Sequence, residues 1–496
     1  MQEQTVKKVV IAGGGTAGWT AAAALSSQLG TLLDIVLVES EDIGAVGVGE
    51  STIPTIRTFH RLLNIDERSF MRSVKASFKL GISFENWGAI GDKYFHAFGQ
   101  IGKSPWMGPF HHMWLQAKAD GFGGELADYC FELQAAKASR FFTSDDSKLN
   151  YAYHLDAGLY ARFLRPLSEA KGVRRIEGKI KGVEQDPETG FIRALIMESG
   201  IRVDGDLFID CTGFRGLLIE QTLGAGYEDW GNWLATNSAI AVQIHSESTV
   251  LPYTRAIAHE AGWRWRIPLQ HRIGTGLVYC NDHLSDDEAR EKLLGGFEGE
   301  PLTEPRVIRY RTGRRRKVWD KNCIALGLSS GFVEPLESTS IHLIQIGVTR
   351  LIQLFPFSGV SEALARRYNE QADNELERIR DFIILHYKLT ERDDSLFWRQ
   401  CRDMEIPDTL VQRIALFKEH ALAYQAPDDL FRVDSWVQVM LGQRLEPEAR
   451  HHLGRIMTRE QLGAALDGLK ANIARAVAQM PSHKEFLERY CPAAEG

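Results

Sequence analysis

Six residues near the start of the sequence limit its fold more than any others. Gly13-Gly14-Gly15-Thr16-Ala17-Gly18 follows a short apolar run, residues 8–12, and opens an Ala-rich segment with helical character through about Leu29. A second apolar run, 34–38, ends at Glu39. Strand, glycine turn, helix and strand together make a βαβ unit. The glycines permit a tight turn and bring a pyrophosphate close to the helix N-terminus, where N–H groups and the helix dipole favour an anion. Glu39 lies 21 residues beyond Gly18, where an acid can accept from a ribose hydroxyl. Gly13, Gly15, Thr16, Ala17, Gly18 and Glu39 are the candidate dinucleotide contacts. A glycine pattern alone is weak; strand before, helix after and acid at this distance make it specific.

Residues 193–198 and 201–209 read as paired strands around Ser199-Gly200, running into Asp210-Cys211-Thr212-Gly213. Such an insertion returning to a Thr-Gly turn suits FAD better than NAD, and is equally compatible with an ordinary hairpin. One dinucleotide fingerprint is visible, so reduced flavin is expected from outside rather than from a second NAD(P)H-binding domain. From about Ser361 the apolar spacing is helical, with 361–385 as one long helix. The expected architecture is α/β. An FAD-binding lobe spans 1–355 with inserted strands that build a substrate face, and a mainly helical substrate-binding region spans 356–496.

Composition narrows the function. With 58 Lys and Arg against 65 Asp and Glu, the net charge of −7 argues against a nucleic-acid surface, which needs a basic face. The basic run Arg314-Arg315-Arg316-Lys317 reads as a solvated loop or an anion site. The six cysteines and the His111-His112 and His451-His452 pairs lack ligand spacing, so no metal is expected. No stretch approaches the length of a membrane span and no signal-like apolar region opens the sequence; a cytoplasmic location is expected.

Three segments carry residues fit for chemistry. Residues 74–84 alternate with period two, placing Phe78, Leu80, Ile82 and Phe84 on one face and Ser77, Lys79, Gly81 and Ser83 on the other. A lysine among small residues can enter a cavity; a solvent-facing lysine on an edge strand fits the pattern too. In Trp263-Arg264-Trp265-Arg266-Ile267-Pro268 the two indoles share a face, as core packing or as an aromatic wall. Glu334-Pro335-Leu336-Glu337-Ser338-Thr339-Ser340 precedes a helical run, 341–351. Thr339 and Ser340 offer backbone N–H groups for an anion nest, or the segment is an N-cap with Glu337 solvated.

Taken together, these residues closely resemble the flavin-dependent halogenases of the tryptophan halogenase family. The resemblance runs in order through GGGTAGW (13–19), Val46-Gly47-Val48-Gly49-Glu50-Ser51-Thr52, Phe78-Lys79, His96-Ala97-Phe98-Gly99, Tyr227-Glu228-Asp229-Trp230, the WxWxIP stretch and Gly331 through Thr339. It implies a Rossmann-like FAD lobe of the hydroxylase type. It implies FAD reduced by a separate NAD(P)H-dependent flavin reductase, with chloride or bromide as the second co-substrate. Oxidation of halide to hypohalous acid would precede its delivery to Lys79, with Glu337 polarising the halogenating species or taking the arene proton. Val48, Gly49, Leu326 and Ser338 would join the flavin contacts, and Thr339 and Ser340 would hold the halide. Trp263 and Trp265 would shield the flavin, and His96, Phe98 and Trp436 would line the substrate pocket.

One departure bears on substrate. Tryptophan halogenases clamp the amino acid with an adjacent Tyr-Tyr pair and a glutamate in a C-terminal lid. This sequence has no Tyr-Tyr pair, and the corresponding stretch reads Phe431-Arg432-Val433-Asp434-Ser435-Trp436 and on to Gln443. An indole or another electron-rich arene is therefore expected over free tryptophan; a carrier-bound substrate stays open. A homodimer is compatible with the family. The rival readings are an FAD-dependent aromatic hydroxylase and a non-enzymatic FAD-fold binding protein. The hydroxylases usually carry Asp after the late glycine, where Gly327-Leu328 stands here.

Overall fold

The computed structural model describes residues 5–43, 49–144, 149–245, 250–297 and 300–493. The chain divides into two compact units, each drawn from three stretches: Met1–Val74, Leu155–Asn232 and Tyr310–Leu376 in one, Lys75–His154, Trp233–Arg309 and Glu377–Gly496 in the other. The chain passes between the two units five times, the last time after Leu376.

The first unit is built on a six-stranded sheet. Its spatial order is Trp319–Asp320, Cys323–Ala325, Leu207–Asp210, Lys8–Ala12, Asp34–Glu39 and Arg174–Glu177. All pairings are parallel except at the Trp319–Asp320 edge. Val10, Ala12, Val36, Val38 and Phe208 are buried along these strands, as expected for parallel strands covered on both faces. The helix Thr16–Leu29 and the strand Asp34–Glu39 lie where the sequence places them. The expected hairpin divides: Ile192–Met197 pairs antiparallel with Arg202–Asp204, while Leu207–Asp210 joins the parallel sheet.

The second unit is built on a seven-stranded sheet ordered Arg306–Arg309, Ser238–Ile244, Ile273–Tyr279, Gly262–Pro268, Thr254–His259, Gly81–Glu85 and Lys93–Ala97. The long helix Glu362–Lys388 crosses the boundary between the stretches assigned to the two units. Among the described residues, no helix is long and apolar enough to cross a membrane.

The single strand expected over 74–84 is two. Val74 caps a helix, Lys75 is left-handed at φ 51°, and Ser77–Lys79 and Gly81–Glu85 are separate strands in different sheets. The alternation was real, but the chain changes sheets at Leu80, whose N–H is taken by the Pro252 carbonyl.

Candidate functional site

In the first unit, several turns gather at the C-terminal ends of the parallel strands, the usual place for a nucleotide. Gly13 has φ 106°, and a Cβ there would lie 2.4 Å from the Cys211 carbonyl oxygen. A Cβ at Gly18 would lie 1.8 Å from the Gly13 carbonyl oxygen, so helix and strand meet through bare backbone. Gly15 is the N-cap of Thr16–Leu29 with no side-chain cap, and a Cβ there would meet nothing within 4 Å. An open approach to an uncapped helix N-terminus fits a pyrophosphate, so these residues suit FAD. Glu39 stands at the end of its strand, over Gly14, accepting from Trp19 Nε1 at 3.3 Å and Arg175 Nε at 2.5 Å. Its oxygens retain acceptor capacity for a ribose hydroxyl. Asp210 accepts from Thr212, Leu218 and Ile219 backbone N–H groups at 2.7 to 2.9 Å and so fixes the Thr212-Gly213 turn. Gly327, at φ 70°, leaves only 2.9 Å between a built Cβ and the Cβ of Ala17, drawing Leu326-Gly327 onto the first turn of that helix. Val48 lies outside the described residues.

Glu334 through Ser340 is a buried turn rather than a solvated cap. Pro335–Glu337 is a short 3-10 turn, Ser338 is left-handed at φ 61° and ψ 35°, and Thr339 is right-handed at φ −88° and ψ −9°. Successive residues of opposite hand turn their N–H groups toward one point, the geometry of an anion nest. The nest leads into the helix Ser340–Gln353, whose N-terminus adds its dipole. Glu334, Glu337 and Thr339 have no exposed surface and Ser338 has 3%. Thr339 Oγ1 is buried and has no hydrogen-bond partner among the described residues.

In the second unit Lys79 is fully buried, not solvent-facing, with its Nζ 4.9 Å from the centre of the Phe98 ring. His96, 3% exposed, lies 5.5 Å from Phe382 and 6.0 Å from Phe431 between ring centroids. Phe382 stacks on Phe431 at 3.8 Å and meets Trp436 edge-on at 4.9 Å. An aromatic chain thus runs from His96 through Phe382 and Phe431 to Trp436. The helix Val433–Gly442 is tied to this strand: Gln438 exchanges hydrogen bonds with both the N–H and the carbonyl of Ala97, and Arg432 donates to the Phe98 carbonyl at 3.0 Å. Phe382 was not marked in the sequence; Phe431 and Gln438 fall in the stretch set against the tyrosine clamp, but their contacts with His96 and Ala97, far away in the chain, were not legible there.

Trp263 and Trp265 share one buried face, 6.2 Å apart, with Arg264 and Arg266 less buried on the other. Trp263 packs near Trp87, and the ring of Trp265 occupies the space a side chain at Gly276 would fill. The basic run divides: Arg316 and Lys317 are exposed, whereas Arg314 and Arg315 are drawn inward onto carboxylates. Arg315 is 5% exposed and paired with Glu220 at 2.7 Å, and Arg314 pairs with Glu228 and Asp373.

A parallel nucleotide-binding sheet, a buried carboxylate turn ending in an anion nest and a fully buried lysine beside an aromatic cluster define a flavin-dependent oxidoreductase that handles an anion and an arene. The tryptophan halogenase model matches residues 8–459, and the chain belongs to that family of flavin-dependent halogenases. It is 37% identical over 447 residues to tryptophan 6-halogenase SttH of Streptomyces toxytricini, covering 84% of this chain and 85% of that protein. Among solved structures it is similar to Xcc4156, a flavin-dependent halogenase from Xanthomonas campestris. There the identity is 51% and the TM-score 0.98, over 99% of this chain and 100% of that one. It is also similar to BrvH, a flavin-dependent halogenase from Brevundimonas sp. BAL3, with 44% identity and a TM-score of 0.94 over 98% and 99%. The expected class, an FAD enzyme supplied with reduced flavin and using halide, is that of this family.

Proposed function

We propose that the protein halogenates indole or a similar electron-rich arene through a halogenating species held by Lys79. The observation that carries this reading is the complete burial of Lys79 against the Phe98 ring. A lysine is rarely withdrawn from water without a task or a partner, because desolvating its charge is costly. When bound, reduced FAD would supply the two-electron oxidation of halide by oxygen. The N–H groups of Thr339 and Ser340 hold the halide in this reading. The Lys79 amine then orients hypohalous acid by a hydrogen bond or carries the halogen as a haloamine. The buried Glu337 polarises that species or accepts the proton lost by the arene. His96, Phe98 and Trp436 present apolar faces to the substrate, and Trp263 and Trp265 wall off the flavin. In this reading the FAD-binding lobe at 1–355 includes the inserted strands that carry Lys79, His96 and Phe98, and the helical region at 356–496 adds Trp436 to the substrate side.

The test is product formation measured beside flavin reoxidation. Lys79→Ala is expected to abolish halogenated product while flavin reoxidation stays within about twofold, as a methyl group can neither bind nor trap an electrophilic halogen. Glu337→Gln is expected to leave weak residual activity, since the amide keeps shape but loses charge and base. A Lys79→Ala protein that binds FAD and halogenates near the wild-type rate overturns the assignment.

The preference for indole over free tryptophan is supported by the helix Val433–Gly442. Its Gln438 amide is spent on Ala97 and its neighbour Arg432 on the Phe98 carbonyl. The Gln438 amide is thereby occupied at both its oxygen and its nitrogen and is not left to clamp an amino-acid backbone. Competition between indole and tryptophan at equal concentration tests this; preferential tryptophan halogenation refutes it.

A further inference from the structure

The strand that carries Lys79 is gripped at both edges by a buried histidine. On one edge Ser77 stands directly across from His154 in the antiparallel pairing. Ser77 Oγ lies 2.5 Å from the Pro268 carbonyl and 3.1 Å from His154 Nδ1, and His154 Nε2 lies 2.9 Å from Thr254 Oγ1. A carbonyl only accepts, so the single Ser77 O–H goes to Pro268. His154 Nδ1–H must then donate to the serine oxygen, and Nε2 accepts from Thr254. On the other edge the Phe78 N–H donates to His483 Nε2 at 3.2 Å, and His483 Nδ1–H donates to the Val250 carbonyl at 2.7 Å. The hydrogen bonds therefore assign both rings the same neutral tautomer, protonated on Nδ1. Neither ring has any exposed surface. The rings of Phe141 and Phe486 close over Phe78 from the same side as His483, so the strand has little freedom to slide.

We propose that His154 and His483 are positioning residues for Lys79. As neutral rings, each donating through Nδ1 and accepting through Nε2, they fix Ser77-Phe78-Lys79 so that the lysine amine retains hypohalous acid instead of releasing it. The proposal rests on the role given to Lys79 above. Burial holds both imidazoles neutral: it lowers His483 to about 4 and His154 well below its ordinary value. Lys79 and His483 are the titratable groups whose charge reaches His154 and opposes its protonation further. The other groups shown against the two rings are uncharged: the hydroxyls of Ser77 and Thr254, the carbonyls of Pro268 and Val250, the Phe78 N–H and the rings of Phe78 and Phe141.

The test follows where the oxidising equivalents go. FAD-loaded enzyme, a flavin reductase, bromide and indole are combined, and three quantities are read: flavin reoxidation, bromoindole, and free hypohalite caught by a soluble β-diketone. His483→Leu and His154→Leu are expected to reoxidise flavin within about twofold of wild type but to lose about tenfold in the ratio of bromoindole to trapped hypohalite, the size of effect one lost buried hydrogen bond allows. His483→Gln restores an acceptor for Phe78, and His154→Asn restores a donor for Ser77; both are expected to recover most of that ratio. Ser77→Ala breaks the His154 contact with the loss of one atom and decides the matter should a leucine variant not fold. The ratio remaining at the wild-type value in Ser77→Ala and in any folded leucine variant overturns the proposal. So does a fall in flavin reoxidation that matches the fall in product, which marks general damage. Lys79→Ala run beside them separates the two ideas: activity retained there refutes the role of Lys79 itself, whereas activity lost there with the histidine variants unaffected refutes only the positioning.

Discussion

Two glycines three residues apart in one turn have opposite tolerances. A methyl at Gly18 would sit 1.8 Å from a backbone oxygen that cannot move aside, whereas one at Gly15 meets only open space. Gly18→Ala is expected to destabilise the fold by about 3 kcal/mol or more and to give poorly soluble protein. Gly15→Ala is expected to leave the melting temperature of the apoprotein unchanged while weakening FAD binding by about tenfold or more, because its methyl enters the space offered to the pyrophosphate. Thermal melts and FAD titrations of both variants check this. The glycine pattern, Glu39 and the shared face of Trp263 and Trp265 could be read from local spacing, because each is a local geometry; spacing left the Glu334-to-Ser340 turn open between a nest and a solvated cap, and only its burial decides. His154 and His483 could not be read this way: their partners Thr254 and Phe78 lie 100 and 405 residues away, and nothing near either histidine marks it.

At the level of elements, regular helices and strands with long apolar periods were legible, and short strands that change sheets were not. The helix Glu362–Lys388 follows directly from its 3.6-residue spacing. Residues 74–84 satisfy a two-residue period across a break that only the surrounding sheets impose. Arg314 and Arg315 looked solvated because the acids that neutralise them, Glu228, Asp373 and Glu220, are far away in sequence. The helix His483–Tyr490 is a small element with a large structural share. Ser482 forms a capping box with Glu485, and Phe486 and Tyr490 face Phe78. Ser482→Ala is expected to cost about 1 kcal/mol, seen as a lower denaturant midpoint. Because His483 is the first residue of that helix, the same change should release detectable hypohalite before it lowers flavin reoxidation, which the trapping assay reads directly.

The molecule as a whole should be sensitive to acid. Burial lowers His60 to about 3 and His483 to about 4, whereas an unfolded histidine titrates near 6.5. At pH 8 both states are neutral and nothing is lost. As pH falls below about 6.5 the unfolded chain takes up protons that the folded protein refuses, so stability declines by about 1.4 kcal/mol per pH unit for each such histidine, down to its folded value. Burial raises the Glu50 carboxyl to about 7, so that group works the opposite way between about pH 7 and 4.5 and offsets one histidine. His112 and His259, lowered to about 3, add to His60 and His483 and outweigh it. Denaturant titrations at pH 6.5, 5.5 and 4.5 are expected to show falling midpoints; a flat profile over that range would refute this account of the buried imidazoles.

The absence of any solvent-facing surface on Lys79 has a preparative consequence. Bulky amine-reactive esters and dialdehydes cannot reach an amine with no exposed surface. Coupling the protein to a support through its outer lysines should therefore spare residue 79, and peptide mapping after such treatment should find it unmodified. An immobilised catalyst could then be made by indiscriminate surface chemistry, because the fold itself acts as the protecting group.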